Sequence, residues 1–154
     1  MALTQGDIAI AGYNTTNPDS IRLVVLIDIV AGTTFNITDN GWLSSGSFRT
    51  GEGILTYTAP TDISAGTVLT WTNGNVNNNN SPGFNSNSPS NFALNASGDS
   101  LIIYTGTLAS PTLIYALNSS GNWSSNATSA ATSAQPTCQN WVMPKGRRAF
   151  VRFI

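Results

Sequence analysis

The chain has 154 residues, no histidine, one cysteine and a formal net charge of −1, with 8% charged residues against the roughly 25% of ordinary soluble domains. Imidazole is the side chain that titrates nearest neutrality and the commonest metal ligand, so its absence excludes most hydrolase triads, most zinc sites and most proton shuttles. Low charge with four Trp, four Tyr and six Phe also excludes disorder, which goes with high net charge and few aromatics, and predicts one domain over residues 1–154 with a real core.

The first strand is expected over residues 8–13. A longer one follows over 21–29, whose apolar run Leu23-Val24-Val25-Leu26-Ile27 predicts a central strand covered on both faces. After the Ala31-Gly32 turn, Phe35 and Ile37 alternate with Asn36 and Thr38 as a half-buried strand does. Asp39-Asn40-Gly41 then predicts a tight hairpin turn, because Asn-Gly readily takes positive φ, and Trp42 is expected to close one end of the core. Strands over 54–58 and 67–72 are joined through Ala59-Pro60 and Ala65-Gly66. A further pair over 101–105 and 113–117 follows the Ser97-Gly98-Asp99 turn, and a last strand is expected over 149–154. About eight short strands separated by turn signals, with no helical period, predict an all-β, antiparallel β-sandwich.

Two polar stretches interrupt this spacing. Residues 73–91 include four consecutive asparagines, Asn77 to Asn80, and residues 119–137 are polar around Trp123. Loops of that length inside a compact domain are usually functional or disordered. The lone Cys138 excludes an intramolecular disulfide. The longest apolar run is far short of the roughly 20 residues of a membrane span, so no membrane insertion is expected, and residues 1–4 carry neither a charged nor an apolar leader segment. Net charge argues against nucleic acid. The cluster Lys145, Arg147, Arg148 and Arg152 reads as solvated charge on a terminal strand rather than a phosphate-binding patch.

Several segments together carry a resemblance. They are Gly6-Asp7-Ile8-Ala9-Ile10 with Gly12-Tyr13-Asn14, Asp28-Ile29 with Ala31-Gly32-Thr33-Thr34, Thr38-Asp39-Asn40-Gly41-Trp42, and Phe48-Arg49-Thr50-Gly51-Glu52-Gly53. Ala65-Gly66-Thr67-Val68, Phe92-Ala93-Leu94 and Ser97-Gly98-Asp99 complete the set. The combination resembles a lamin-tail-like β-sandwich module of secreted bacterial surface proteins, and it spans about Gly6 to Pro136. The resemblance implies an extracellular or cell-surface setting and an accessory role, since that family mostly lacks an assigned activity. Residues 138–154 depart from the pattern and form a divergent terminal segment.

The candidate chemistry is sparse. The seven carboxylates are scattered, and most sit beside Gly or Asn in turns. Asp39 and Asp99 are therefore expected to accept backbone N–H bonds rather than to act as a catalytic pair, which needs positioned partners. A serine nucleophile would have only Lys145 as base, and no nucleophile-elbow or Ser-x-x-Lys pattern occurs. No enzyme and no cofactor are expected. Calcium is the one metal to weigh, with Asp28, Asp39, Asn40 and Glu52 as hard oxygen ligands that could converge at one end of the sandwich.

Trp42 and Trp123, set among Asn, Ser and Thr, are the candidate ligand-binding aromatics, Trp123 the better one for its polar loop. Glycans are the corresponding partner. Asn-x-Ser/Thr sequons, among them those at Asn14, Asn36, Asn95, Asn118, Asn122 and Asn126, are about what this composition gives by chance and matter only in a secreted protein. Few charges are available to protect sheet edges, so self-association is expected, as a homo-oligomer, filament or surface-layer subunit. Ala149, Phe150, Val151, Arg152, Phe153 and Ile154 form the candidate assembly strand. The sequence thus favours a non-catalytic extracellular structural or adhesive module, and alternatively a carbohydrate-binding domain using loop Trp and Asn side chains.

Overall fold

The computed structural model describes residues 2–74, 79–85, 92–120, 122–129 and 131–136. Trp141, Cys138, the basic cluster and the candidate assembly strand 149–154 lie outside the described residues. Seven strands run in chain order: β1 Ile8–Asn14, β2 Ser20–Val25, β3 Thr34–Thr38, β4 Ile54–Thr58, β5 Val68–Thr72, β6 Ser100–Thr107 and β7 Ser110–Asn118. They form two antiparallel sheets, β1-β2-β5 and β4-β3-β6-β7, and no α-helix occurs among the described residues. The fold is the all-β sandwich expected, with seven described strands instead of about eight.

Period-two alternation builds the core. Ile8 and Ile10, Ile21, Leu23 and Val25, Phe35 and Ile37, Leu55 and Tyr57, Leu69 and Trp71, and Leu101 and Ile103 all join one buried cluster. Each fully buried aliphatic or aromatic side chain contributes about 1.5–3 kcal/mol. Trp71 is core, as its place in a strand predicts, and it meets Phe92 edge-on at 5.2 Å.

Two local expectations fail. The run 23–27 is not a strand covered twice, because β2 stops at Val25 and turns exposed Arg22 and half-buried Val24 outward. The doubly covered strand is β6. Its Leu101 and Ile103 face the main core, while Ile102 and Tyr104 enter a second cluster with Trp42, Phe48 and Ala134. Asn40-Gly41 does not make a tight hairpin either. The β3–β4 connection runs over residues 39–53 and folds back on itself, with Trp42 bridged to Phe48. Gly41 is needed there for closeness, since a Cβ at this position would collide with the Thr132 carbonyl and lie 2.8 Å from the Ala127 Cβ.

Trp42 therefore does not close an end of the main core. It caps the outer face of β6 and β7, edge-on to Phe48 at 4.9 Å, with Phe48 in turn 5.1 Å from Tyr104. Residues 122–136 fix this lid. Ser133 Oγ accepts from the Trp42 amide at 2.8 Å, the Ala134 amide donates to the Trp42 carbonyl at 2.8 Å, and Asn126 Oδ1 accepts from the Ser44 amide at 2.9 Å.

Candidate functional site

On the β7 flank the sandwich leaves a cleft of about 240 Å³ lined by Gln5, Ile114, Tyr115, Ala116, Trp123, Gln135 and Pro136. Three chain segments meet here. The residues before β1 are tied to β7 by the Gly6 amide donating to the Ile114 carbonyl at 3.0 Å. β7 supplies Tyr115, whose phenol burial pushes above its ordinary pKa. The segment 122–136 supplies Trp123, half-buried, next to Ser124. That serine is bridged to Ala134 and locked by its amide donating to the Ser133 carbonyl at 2.9 Å and its Oγ donating to the Asn126 carbonyl at 2.6 Å. A Trp on so constrained a loop is pre-positioned, which spares ordering cost on binding.

The described lining carries no charge. It combines aromatic surface with the amides of exposed Gln5 and Gln135. Its volume is below the roughly 300–1,000 Å³ of pockets for drug-sized ligands, a size for one small ring.

Trp42, the other aromatic candidate, is buried in the second cluster and presents no face to a ligand. The amides of the cleft are also not asparagines. Gln5 and Gln135 stand far apart in sequence, and only the approach of the residue 2–7 segment and residues 122–136 to β7 brings them together. Tyr115 pairs with Ile103 on the inward side of β7 and packs against the margin of the main core, so nothing local marks it as a lining residue.

A second polar constellation sits at the end of the sandwich where β3 finishes and β2 begins. Asp39 accepts from the Gly53 amide through Oδ1 at 2.8 Å and from the Ala93 amide through Oδ2 at 3.0 Å. Asp19 Oδ2 accepts from the Leu94 amide at 2.8 Å, and Asp99 Oδ2 from the Asn95 amide at 3.0 Å. Three consecutive amides thus end on three buried carboxylates from three different segments. Desolvation pushes the Asp39 carboxyl up to about 7, the Ala93 amide opposing it and the charges of Asp99 and Glu52 adding to it. Asp99 rises to about 7 for the same leading reason, against the Asn95 and Ser100 amides. Burial raises Glu52 too, opposed by Arg49, whose Nη1 lies 3.4 Å from Glu52 Oε2 as an ion pair.

These donors explain what the calcium candidates do. Asp39 spends both oxygens on amides, as its expected role as an amide acceptor requires. Asn40 Oδ1 accepts from the Glu52 amide at 3.1 Å, while its Nδ2 donates to Thr38 Oγ1 at 2.8 Å. Asp28 is not part of the group. It lies beyond the far end of β2, where its Oδ1 accepts from the Ala65 amide at 2.8 Å. Among the described residues no three acidic or cysteine side chains are placed to hold a metal, so the four proposed ligands do not converge.

No protein-family model, curated protein or solved structure matches this chain.

Proposed function

We propose that this chain is a non-catalytic extracellular adhesive module that binds a neutral saccharide in the Trp123 cleft. The observation that carries the reading is the uncharged lining in which a fixed, half-exposed indole lies with two glutamine side chains. Sugars offer apolar C–H faces and a ring of hydroxyls. A flat aromatic face takes the first, and amides, each both donor and acceptor, take the second. An anionic or cationic ligand would find no counter-charge in the described lining. The low overall charge and the resemblance to secreted surface modules support the extracellular setting. The carboxylates of Asp19, Asp39 and Asp99 support no catalytic reading, because they accept backbone amides.

The test is a screen of the intact chain against immobilised neutral and charged glycans, followed by titration calorimetry with the best binder. Neutral glycans should bind. Trp123→Ala should abolish the heat signal while the thermal unfolding transition stays cooperative. Failure to bind any neutral glycan, or binding that survives Trp123→Ala unchanged, would overturn the proposal.

A further inference from the structure

The flank opposite the cleft is formed by the free sides of β4 and β5. Their sequences, Ile-Leu-Thr-Tyr-Thr and Val-Leu-Thr-Trp-Thr, contain no charge and no proline. Uncharged, β-branched and aromatic edges of this kind template pairing with other chains unless something covers them. Here residues 79–85 cover both. On β5, the Ser81 amide donates to the Thr70 carbonyl at 2.8 Å, and Ser81 Oγ accepts from the Thr70 amide at 2.9 Å. One position along, Asn80 Oδ1 accepts from the Thr72 amide at 2.6 Å and Asn80 Nδ2 donates to the Thr72 carbonyl at 3.2 Å. The side chain of Asn80 so imitates the peptide group of a neighbouring strand.

The same segment crosses to the other sheet. The Thr58 amide donates to the Gly83 carbonyl at 2.9 Å, and the Asn85 amide donates to the Thr56 carbonyl at 2.9 Å. Phe84 lies edge-on to Tyr57 at 4.9 Å. Gly83 permits the crossing, with φ of 110° and so little room that a Cβ would lie 2.8 Å from Tyr57 Cε2.

We propose that residues 79–85 are a displaceable edge guard, and that β4 and β5, once uncovered, pair with the same edges of a second copy of this chain. The guard replaces the charges that other sandwiches place on their edges, and its hold is polar apart from one ring. Self-association of this low-charge chain is then governed by release of the guard. The inference is independent of the saccharide cleft, which lies on the other flank.

The experiment uses the full chain with Ser81→Pro and Asn85→Pro combined. The pair removes the amides that reach Thr70 and Thr56 together with the Ser81 hydroxyl, and leaves both strands unaltered. Sedimentation velocity across concentration gives mass, and hydrogen exchange by NMR reads the Thr58, Thr70 and Thr72 amides. The unaltered chain should be monomeric with all three amides protected. The variant should lose protection at low concentration by about tenfold or more, at least double its mass on concentration, and regain protection as it associates. Phe84→Ala, which removes only the ring anchor, gives the same readouts should the double variant fail to fold. A folded variant that exposes these amides and stays monomeric overturns the proposal. So does an unaltered chain that associates while the three amides remain protected. Trp123→Ala serves as the control and should leave mass unchanged.

Discussion

Two regions of this sandwich solve one problem, the satisfaction of backbone amides where a strand or loop has no strand partner, in opposite ways. On the β4–β5 flank the acceptors are neutral, the Asn80 amide, the Ser81 hydroxyl and the Gly83 carbonyl. At the end where β3 finishes, the acceptors are the carboxylates of Asp19, Asp39 and Asp99. A carboxylate is the stronger acceptor, but it brings a desolvation cost that a neutral amide does not. The flank should therefore be indifferent to pH, and the end should not.

The largest expected effect is Asp39→Ala. The substitution leaves the Gly53 and Ala93 amides without their acceptor in a site where Asp39 itself is only 1% exposed. Each orphaned buried donor costs about 1–3 kcal/mol, partly offset because a polar carboxyl group is no longer desolvated. Urea unfolding at pH 6 should show a large fall in midpoint. A midpoint within error of the parent would mean that water replaces the carboxylate, and that this end is less dry than it looks.

Next in size is the pH dependence. The folded carboxyls of Asp39 and Asp99 are raised to about 7, while an unfolded aspartate titrates at about 3.9. Between those values the folded chain binds more protons than the unfolded one. The stabilising contribution is complete below about pH 4 and is lost as pH rises through about 7. Stability should thus climb on acidification from pH 8 to pH 5, at no more than about 1.4 kcal/mol per pH unit for each group. Thermal melts at half-unit intervals measure it, and Asp99→Asn should flatten the curve. A curve that falls on acidification would show that the amide donors outweigh burial and hold these carboxyls low.

The sequence exposed these elements unevenly, for physical reasons. β1, β3 and β4 were legible because one covered face imposes strict alternation. β6 and β2 exchanged roles, since Leu101-Ile102-Ile103-Tyr104 and Leu23-Val24-Val25-Leu26-Ile27 look alike. Only the lid of Trp42 and Phe48 decides which run is covered twice, and that lid is a long-range packing event. Asn40-Gly41 misled because a glycine demanded by close approach carries the same signature as one demanded by positive φ. Asp39 and Asp99 were legible as acceptors of backbone amides, but not that Asp19 joins them on three adjacent amides. Within the cleft, Trp123 stood out as an aromatic in a polar loop, whereas Gln5 and Gln135 carry no local mark.

The smallest effect sharpens the comparison most. Asn80→Ala removes the acceptor of the Thr72 amide and a donor to the Thr72 carbonyl, yet Asn80 is half-buried, so water can reach the orphaned groups and limit the loss to about 1 kcal/mol. Because neither the amide nor its partners titrate, that loss should be the same at pH 5 and pH 8, in parallel denaturation curves of the variant and the parent. The contrast with Asp39→Ala is then one of kind, since the carboxylate variant must also change the slope of stability against pH. A pH-dependent loss in Asn80→Ala would mean that the guard communicates with the carboxylates at the end of the sandwich. Neutral and ionisable solutions would then no longer be independent, and release of the β4–β5 edges would itself respond to protons.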